Sequence, residues 1–287
     1  MSNAYKDMYY QSSDGLKLYA RDYPNPDATQ AVMLLHGFTR NSADFADLCE
    51  QLRGDYRLIV PDQRGRGLSE YDSNTDNYNP ATYVNDMFTL LDELKLDDIV
   101  LIGTSMGGVV SMTMASMKPA LVKAVILNDV GPEVEPTGLQ RVVDSMGNNP
   151  TINNWEDAVA YAKATNGIAY PNYTDEDWEK FSKNIYKFND EGKPVSAYDP
   201  GVYTPIKDFD AHETPLTLWP VFDVAKNSLF MVVRGEISDI LSRKCVEKLK
   251  TYDNVLCTIE VPNVGHAPTL NEDVAVNGIR DFLANLK

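Results

Sequence analysis

The fold is decided by residues 98–109, which read Asp-Ile-Val-Leu-Ile-Gly-Thr-Ser-Met-Gly-Gly-Val. The first half is an apolar run that predicts a buried strand, and the second half begins a segment with helical spacing. Ser105 lies at the junction, in a Gly-x-Ser-x-Gly motif between Gly103 and Gly107. A sharp turn from strand to helix strains its central residue and crowds the backbone, so small residues must flank it. The segment therefore predicts a reactive Ser105 hydroxyl at the start of a helix.

Two other glycine motifs fit this segment less well. A phosphate-binding loop requires lysine after its last glycine, but Val109 follows Gly108. A dinucleotide-binding turn requires glycine at the position of Ser105. The remaining alternative is a plain glycine-rich turn at the edge of a sheet.

The alternation of apolar run and helical segment recurs along the chain and predicts a mostly parallel, eight-stranded sheet flanked by helices. Two further strands, 7–11 and 16–21, flank a Ser-Ser-Asp-Gly turn and predict an antiparallel start. The other predicted strands are 31–35, 57–60, 99–102, 122–127, 229–233 and 255–261. The predicted helices are 41–52, 80–94, 106–117, 242–249 and 271–286.

The alternation stops between Pro132 and Pro220, a stretch without convincing strands. We interpret it as a helical cap inserted after the sixth strand, which divides the chain into core residues 1–131, cap residues 132–220 and core residues 221–287. This stretch holds all three tryptophans, Trp155, Trp178 and Trp219, which we expect to contact an apolar part of the substrate.

Acyl transfer requires two donors aimed at the developing oxyanion. One is expected from the residue after the nucleophile, Met106, and the other from the loop His36-Gly37-Phe38 after the first parallel strand. We therefore expect the backbone N–H groups of Phe38 and Met106 to form the oxyanion hole. His36 lies before Gly37, where an imidazole is expected to brace the loop.

The general base should lie on a loop after the last strand, and among the three histidines only His266 does so. His212 falls in the cap and is expected to be structural or to face substrate. The acid should follow the preceding core strand, which favours Asp239. Glu236 in the same loop and Asp129 after the strand before it remain alternatives.

Composition restricts the partners of this 287-residue chain. Acidic residues outnumber basic ones by 42 to 26, which disfavours binding to nucleic acid or to anionic membranes. Cys49, Cys245 and Cys257 are odd in number and lack metal-ligand spacing, so reduced, buried thiols are expected. No signal peptide or membrane-spanning run is evident, which favours a cytoplasmic protein. The sequence does not indicate an oligomeric state.

The residue spacing in this sequence does not match known metal-binding or cofactor-binding motifs. Residues 72–76 begin like a calcium loop, but Asn77 and Tyr83 stand where glycine and glutamate are required. No cluster of cysteine and histidine suggests zinc. We expect no cofactor and no metal.

Taken together, the motifs at residues 36–38 and 103–107, with Asp239 and His266, resemble the α/β-hydrolase superfamily, namely its capped esterases, lactonases and carbon–carbon bond hydrolases. Residues 61–69 also resemble a family segment, in which Asp62 and Arg64 would hold loops together. Members that use an aspartate nucleophile, the haloalkane dehalogenases and epoxide hydrolases, are disfavoured because position 105 is serine.

The resemblance implies a serine carboxylesterase that forms an acyl-enzyme on Ser105 with a small-molecule ester or related carbonyl substrate. Hydrolysis of a lactone, or of a carbon–carbon bond in a vinylogous diketone, stays open because the same residues would serve. A small-molecule binding protein on a hydrolase scaffold is the alternative that is not an enzyme.

Overall fold

The core of the protein is one eight-stranded sheet with the order β1-β2-β4-β3-β5-β6-β9-β10. The computed structural model describes residues 4–147 and 150–286. The strands of this sheet are β1 (Lys6–Gln11), β2 (Lys17–Tyr23), β3 (Ala31–Leu35), β4 (Arg57–Asp62), β5 (Ile99–Thr104), β6 (Val122–Asn128), β9 (Leu229–Gly235) and β10 (Val255–Val261). All eight predicted strands are confirmed, with ends that differ by no more than two residues.

The sheet is mixed, as its hairpin start predicts. Strand β2 pairs antiparallel with β1 and with β4, whereas the remaining neighbours pair in parallel. The central strands β3, β5 and β6 are mostly apolar and almost entirely buried because helices cover both faces and leave no solvent side.

Helices pack on both faces of the sheet. On one face lie α2 (Pro80–Leu94), α3 (Met106–Met117) and α8 (Arg243–Leu249), and on the other lie α1 (Ala46–Leu52) and α9 (Asp273–Ala284). Local sequence sets the ends: Asn79 caps α2 through the Thr82 N–H, and Pro80 occupies the first turn. The predicted helix 41–52 begins instead as a 3₁₀ turn, Ser42–Phe45.

The segment between β6 and β9 leaves the sheet and returns to it. It contains α4 (Pro136–Gly147), α5 (Trp155–Asn166), α6 (Asp175–Ile185) and α7 (Trp219–Val224), with a 3₁₀ helix at Pro200–Ile206. It also contains a small antiparallel hairpin, β7 (Tyr186–Phe188) and β8 (Pro194–Ser196), which the sequence pattern did not predict because each strand has only three residues. We call residues 129–228 the inserted segment.

The cysteines and the helix lengths bear on thiol burial and on membrane crossing. Cys49 and Cys245 are buried free thiols as expected, whereas Cys257 is partly exposed. Over the described ranges, no helix combines the length and the apolarity that crossing a bilayer requires.

Candidate active site

Ser105 lies at a tight turn between β5 and α3. Its backbone has φ 52° and ψ −117°, a strained conformation for a residue with a side chain. Glycine is required on both sides. A Cβ on Gly103 would lie 2.4 Å from the Gly107 carbonyl oxygen, and one on Gly107 would lie 2.0 Å from that of Leu35. The predicted turn is therefore built as its glycines indicated, with Ser105 at the end of β5.

His266 faces Ser105 from the loop between β10 and α9. Its Nε2 lies 2.9 Å from Ser105 Oγ, and its Nδ1 lies 2.8 Å from Oδ2 of Asp129. Asp129 is fully buried, and its carboxylate also accepts the N–H of Gly235 at 2.8 Å. Ser105, His266 and Asp129 thus form one continuous line of hydrogen bonds.

Strand register explains why Asp129 reaches this line. Strands β5 and β6 are neighbours, and Thr104 pairs with Asn128 in their register. Ser105 and Asp129 each follow directly, so both lie at the carboxyl edge of the sheet on adjacent strands. The Ser105 N–H even donates to the Asn128 carbonyl at 3.0 Å. A carboxylate that follows β6 is therefore one strand closer to Ser105 than a carboxylate that follows β9.

The expectation that Asp239 is the partner of His266 is corrected by these contacts. Asp239 makes a bidentate ion pair with Arg141 of α4, at 2.6 Å and 2.8 Å. Burial works to raise the pKa of Asp239, but the hydrogen bonds and charge of Arg141 outweigh it, so the pKa lies below its ordinary value. Asp239 lies six residues beyond Val233, in a loop that turns towards α4. The alternative Asp129 occupies the place expected for Asp239.

The other alternative, Glu236, also points elsewhere. Its carboxylate accepts the N–H of Asn263 at 2.8 Å, in the loop that leads to His266. This bond ties the ends of β9 and β10 together, and it leaves Asp129 as the carboxylate that contacts the imidazole among the described residues.

The two residues expected to supply the oxyanion donors are both found at the Ser105 site, Met106 directly after Ser105 and Phe38 in the wall of its cavity. Met106 is the first residue of α3, so its N–H has no partner within the helix. Phe38 lines the cavity in front of Ser105, and its carbonyl accepts from the buried guanidinium of Arg66 at 2.9 Å. Arg66 thereby holds the peptide between Phe38 and Thr39, next to the one that carries the Phe38 N–H, and nothing in the sequence pattern predicts this contact.

His36 braces the early loop, as expected. Its Nε2 accepts the N–H of Gln63 at 3.0 Å, and its Nδ1 lies 2.7 Å from the Gly37 carbonyl oxygen. Complete burial lowers the pKa of His36 to about 4, which keeps the imidazole neutral and able to accept at Nε2.

Asp62 and Arg64 hold loops together, as the resemblance implied. Asp62 accepts the N–H groups of Ser42 and Leu68 at 2.6 Å and 2.9 Å. The buried Arg64 guanidinium donates to three carboxylates from separate segments, those of Asp14, Asp72 and Asp86. The beginning of the rejected calcium motif is thus part of an arginine-centred network.

The inserted segment makes hydrogen bonds to the residues immediately before and after His266. The Gly265 N–H donates to the Ala169 carbonyl at 2.7 Å, and the hydroxyl of Tyr170 donates to the Ala267 carbonyl at 2.7 Å. Tyr170 is buried, and burial raises the pKa of its hydroxyl, which therefore remains a donor. Tyr170 is not predictable from the sequence, since nothing in its local pattern distinguishes it from the other tyrosines of the chain.

A cavity of about 370 Å³ opens in front of Ser105 and His266, between the core and the inserted segment. Its wall combines aromatic side chains with hydroxyls, amides and charged groups. Among the described residues of the wall, the lysine and arginine side chains are those of Arg40, Arg141 and Lys180. Each pairs with an aspartate.

The three tryptophans expected to contact substrate, Trp155, Trp178 and Trp219, are not among the described residues that line this cavity. Trp178 is buried and packs edge-on against Phe181 inside the inserted segment. Trp155 and Trp219 each donate an indole N–H to a nearby glutamate. His212 lies outside this cavity, at a shallower depression. Trp155 and Trp178 therefore belong to the segment's own core, whereas Trp219 stacks on Tyr252 and packs against the main core of the protein.

Comparisons with known proteins agree with this architecture. A family model described as alpha/beta hydrolase fold matches residues 30–161. The chain is 31% identical over 260 residues to 3-hydroxybutyrate-oligomer hydrolase of Cupriavidus necator, covering 86% of each chain. It is 28% identical over 255 residues to 2-(acetamidomethylene)succinate hydrolase of Mesorhizobium japonicum, covering 88% of this chain and 87% of the relative.

A solved structure extends the comparison to the whole chain. The crystal structure of an alpha/beta hydrolase from Novosphingobium aromaticivorans superposes with a TM-score of 0.89 at 35% identity, and 98% of each chain is covered. The match therefore includes the inserted segment as well as the sheet. The chain belongs to the α/β-hydrolase family.

Proposed function

We propose that this hydrolase cleaves carboxylic esters through an acyl-enzyme on Ser105. The observation that carries the proposal is the unbroken line from Ser105 Oγ to His266 Nε2, at 2.9 Å, and from His266 Nδ1 to Asp129 Oδ2, at 2.8 Å. A serine hydroxyl is a weak nucleophile until a neighbouring base takes its proton. His266 supplies that base, and the Asp129 carboxylate orients it.

In the proposed mechanism, His266 accepts the Ser105 proton while Oγ attacks the ester carbonyl. The Phe38 and Met106 N–H groups stabilise the oxyanion, and Asp129 stabilises the imidazolium. Collapse of the tetrahedral intermediate expels the alcohol, which takes the proton from His266. Water activated by His266 then attacks the acyl-enzyme and releases the acid, which regenerates Ser105.

We propose a short, polar oligoester of a hydroxy acid as the substrate class. The relative named as a 3-hydroxybutyrate-oligomer hydrolase supports this, since its similarity covers 86% of each chain. The cavity wall supports it as well, because hydroxyl and amide groups such as those of Thr39, Asn166 and Asn184 would bind ester and hydroxyl oxygens. A long alkyl chain would bury apolar surface against these polar groups without adding hydrogen bonds to them.

A second candidate is hydrolysis of an amide or ester on an acidic substrate. The relative named for 2-(acetamidomethylene)succinate favours this, and Arg40, Arg141 and Lys180 in the cavity wall could bind carboxylates. Lactone and carbon–carbon bond hydrolysis need the same nucleophile, so they remain alternatives. A panel of hydroxybutyrate oligomers, acetamido dicarboxylates, lactones and vinylogous diketones separates these candidates by their kcat/KM values.

We also propose that residues 132–220 act as a cap that selects the substrate, with core residues 1–131 and 221–287 carrying the chemistry. The part of the cavity wall contributed by α4, α5 and α6 supports this division. Substitutions there should change the order of preference among substrates more than the rate with an activated ester.

Ser105→Ala tests the proposed nucleophile. We expect turnover of a p-nitrophenyl ester to fall by at least about 10³-fold, since loss of the nucleophile leaves only binding and the oxyanion hole. Ser116→Ala, at the opposite end of the same helix, is the matched control and should retain activity. Near-normal turnover by correctly folded Ser105→Ala would refute the proposal.

A further inference from the structure

The loop after β9, residues 236–241, contacts Asp129 through Ser238 rather than through an acid of its own. Ser238 Oγ lies 2.6 Å from Asp129 Oδ2, the same oxygen that faces His266 Nδ1. A hydroxyl bonded to a carboxylate at this distance makes a short, charge-assisted hydrogen bond. Ser238 is thus separated from the imidazole by a single shared oxygen atom.

The orientation of the Ser238 hydroxyl is fixed by its other contacts. Its oxygen accepts the backbone N–H groups of Ile240 and Leu241, each at 3.1 Å. A hydroxyl has two acceptor positions and one proton, so two accepted bonds leave the proton free to point at Asp129. The loop is folded so that Ser238 acts as a donor to the carboxylate.

Asp129 accepts two bonds besides the one from the imidazole. The Gly235 N–H binds Oδ1 at 2.8 Å, and the Ser238 hydroxyl binds Oδ2. Together these donors prevent rotation of the carboxylate and share its negative charge. Because Asp129 is fully buried, each such bond has a large effect on the negative charge of the oxygen that contacts the imidazole.

We propose that Ser238 is a positioning residue for the reaction, one that fixes the rotamer of Asp129 and moderates how strongly this carboxylate stabilises the His266 imidazolium. The inference rests on the proposed function of Ser105, His266 and Asp129. It gives a role in the reaction to the loop of residues 236–241, where the sequence pattern predicted the catalytic acid. Ser238 acts through Asp129 and touches neither substrate nor the reacting atoms.

Ser238→Ala is the first test. Loss of the hydroxyl should lower kcat for a p-nitrophenyl ester by about 10-fold, with KM changed less than about twofold, because the imidazole is less well oriented. It also leaves more negative charge on Asp129 Oδ2, so the imidazolium forms more readily. The acid limb of the kcat/KM profile should therefore move to higher pH.

Two further variants separate donation from packing. Ser238→Thr keeps the hydroxyl and should restore most of kcat and the normal acid limb. Ser238→Cys keeps similar volume with a weak donor, so it should show the same shift as alanine, and it serves if the alanine variant does not fold. Thermal unfolding of all three variants shows whether they are folded.

A charge control comes from the next residue in the loop. Among the described residues, the charged groups that face His266 include Asp129, which directly follows β6, and Asp239 in this loop, which is paired with Arg141 on α4. Asp239→Asn removes one negative charge near the imidazole and leaves Arg141 unpaired. The acid limb of its kcat/KM profile should move to lower pH or stay in place, whereas that of Ser238→Ala should move to higher pH.

The proposal is overturned if folded Ser238→Ala keeps wild-type kcat and acid limb, or if Ser238→Thr loses as much activity as Ser238→Ala. Failure of this inference and failure of the proposed function are distinguishable. If Ser105→Ala is inactive and Ser238→Ala behaves like the wild type, the assignment of Ser105 as nucleophile stands and only the role of Ser238 is rejected. An active Ser105→Ala would reject both.

Discussion

The loops after β6 and β9 each carry an aspartate at the same edge of the sheet, yet their surroundings differ. Asp129 is fully buried and bonded to Gly235, Ser238 and His266. The side chain of Asp239 is 39% exposed and pairs with Arg141. The first carboxylate is held for the imidazole, whereas the second connects the β9 loop to α4. Proximity to the final strands of a sheet therefore does not by itself identify the acid.

The largest predicted difference between these loops is in catalysis. Asp129→Asn should lower kcat by about 10³- to 10⁴-fold, because an amide can neither stabilise the imidazolium nor fix the imidazole tautomer. Asp239→Asn should stay within about threefold of wild type. Steady-state kinetics with a p-nitrophenyl ester at pH 8 measure both variants. A larger loss for Asp239→Asn would reverse the assignment of the two loops.

Gly235 provides an intermediate test, since it donates to Asp129 where backbone segments approach closely. An alanine Cβ there would lie 2.4 Å from the Val264 carbonyl oxygen and 2.5 Å from that of Gly265. Gly235→Ala should therefore displace the His266 loop and lower kcat by about 10- to 100-fold.

The matched control for this test is Gly54→Ala, where an added Cβ meets no atom within 4 Å. This variant should keep wild-type kcat, as measured with the same ester. Wild-type activity in Gly235→Ala would show that the approach of β9 to the His266 loop does not matter for the reaction.

The smallest predicted effect concerns the stability that Asp239 contributes. Its pKa is lowered in the folded protein, so the contribution is present above the unfolded-state pKa of about 3.9 and is lost as pH falls through the folded value. The pair is partly exposed, so Asp239→Asn should cost at most about 1 kcal/mol at pH 7.

Urea unfolding at pH 7 and at successively lower pH measures this difference, which should shrink below about pH 4. A deficit of several kcal/mol, or one that grows as pH falls, would show that Asp239 does more than connect the β9 loop to α4.

Local signals explain what the sequence could predict. A Cβ on Gly103 or Gly107 would lie 2.4 Å or 2.0 Å from a backbone oxygen, so the Ser105 turn requires glycines that are visible in the sequence. The sheet strands are long and apolar, and all eight were predicted. His266 followed from its place after the last strand. The fold and two members of the hydrogen-bonded line were thus readable from residue order.

The acid was not readable, because its identity depends on strand order and loop path. Asp129 gains access to His266 from the pairing of Thr104 with Asn128, and this register is set by the whole sheet. The turn of the β9 loop depends on Ser238 accepting two backbone N–H groups, which no periodicity indicates.

The wall of the cavity was also beyond sequence reasoning. A tryptophan such as Trp178 packs well in a core as readily as in a binding site, and composition does not distinguish the two uses. The hairpin of β7 and β8 is too short for a pattern of alternation to show. Tertiary contacts alone decide which side chains of residues 132–220 face Ser105.

The most direct measurement is the rate at which a fluorophosphonate labels each protein, with the modified residue identified by peptide mass spectrometry. We expect the label on Ser105 in the wild type and in Asp239→Asn, at similar rates. Labelling of Asp129→Asn should be at least about 10²-fold slower, because its imidazole is poorly oriented. Label on another residue, or wild-type labelling of Asp129→Asn with slow labelling of Asp239→Asn, would refute the assignment of Ser105, His266 and Asp129.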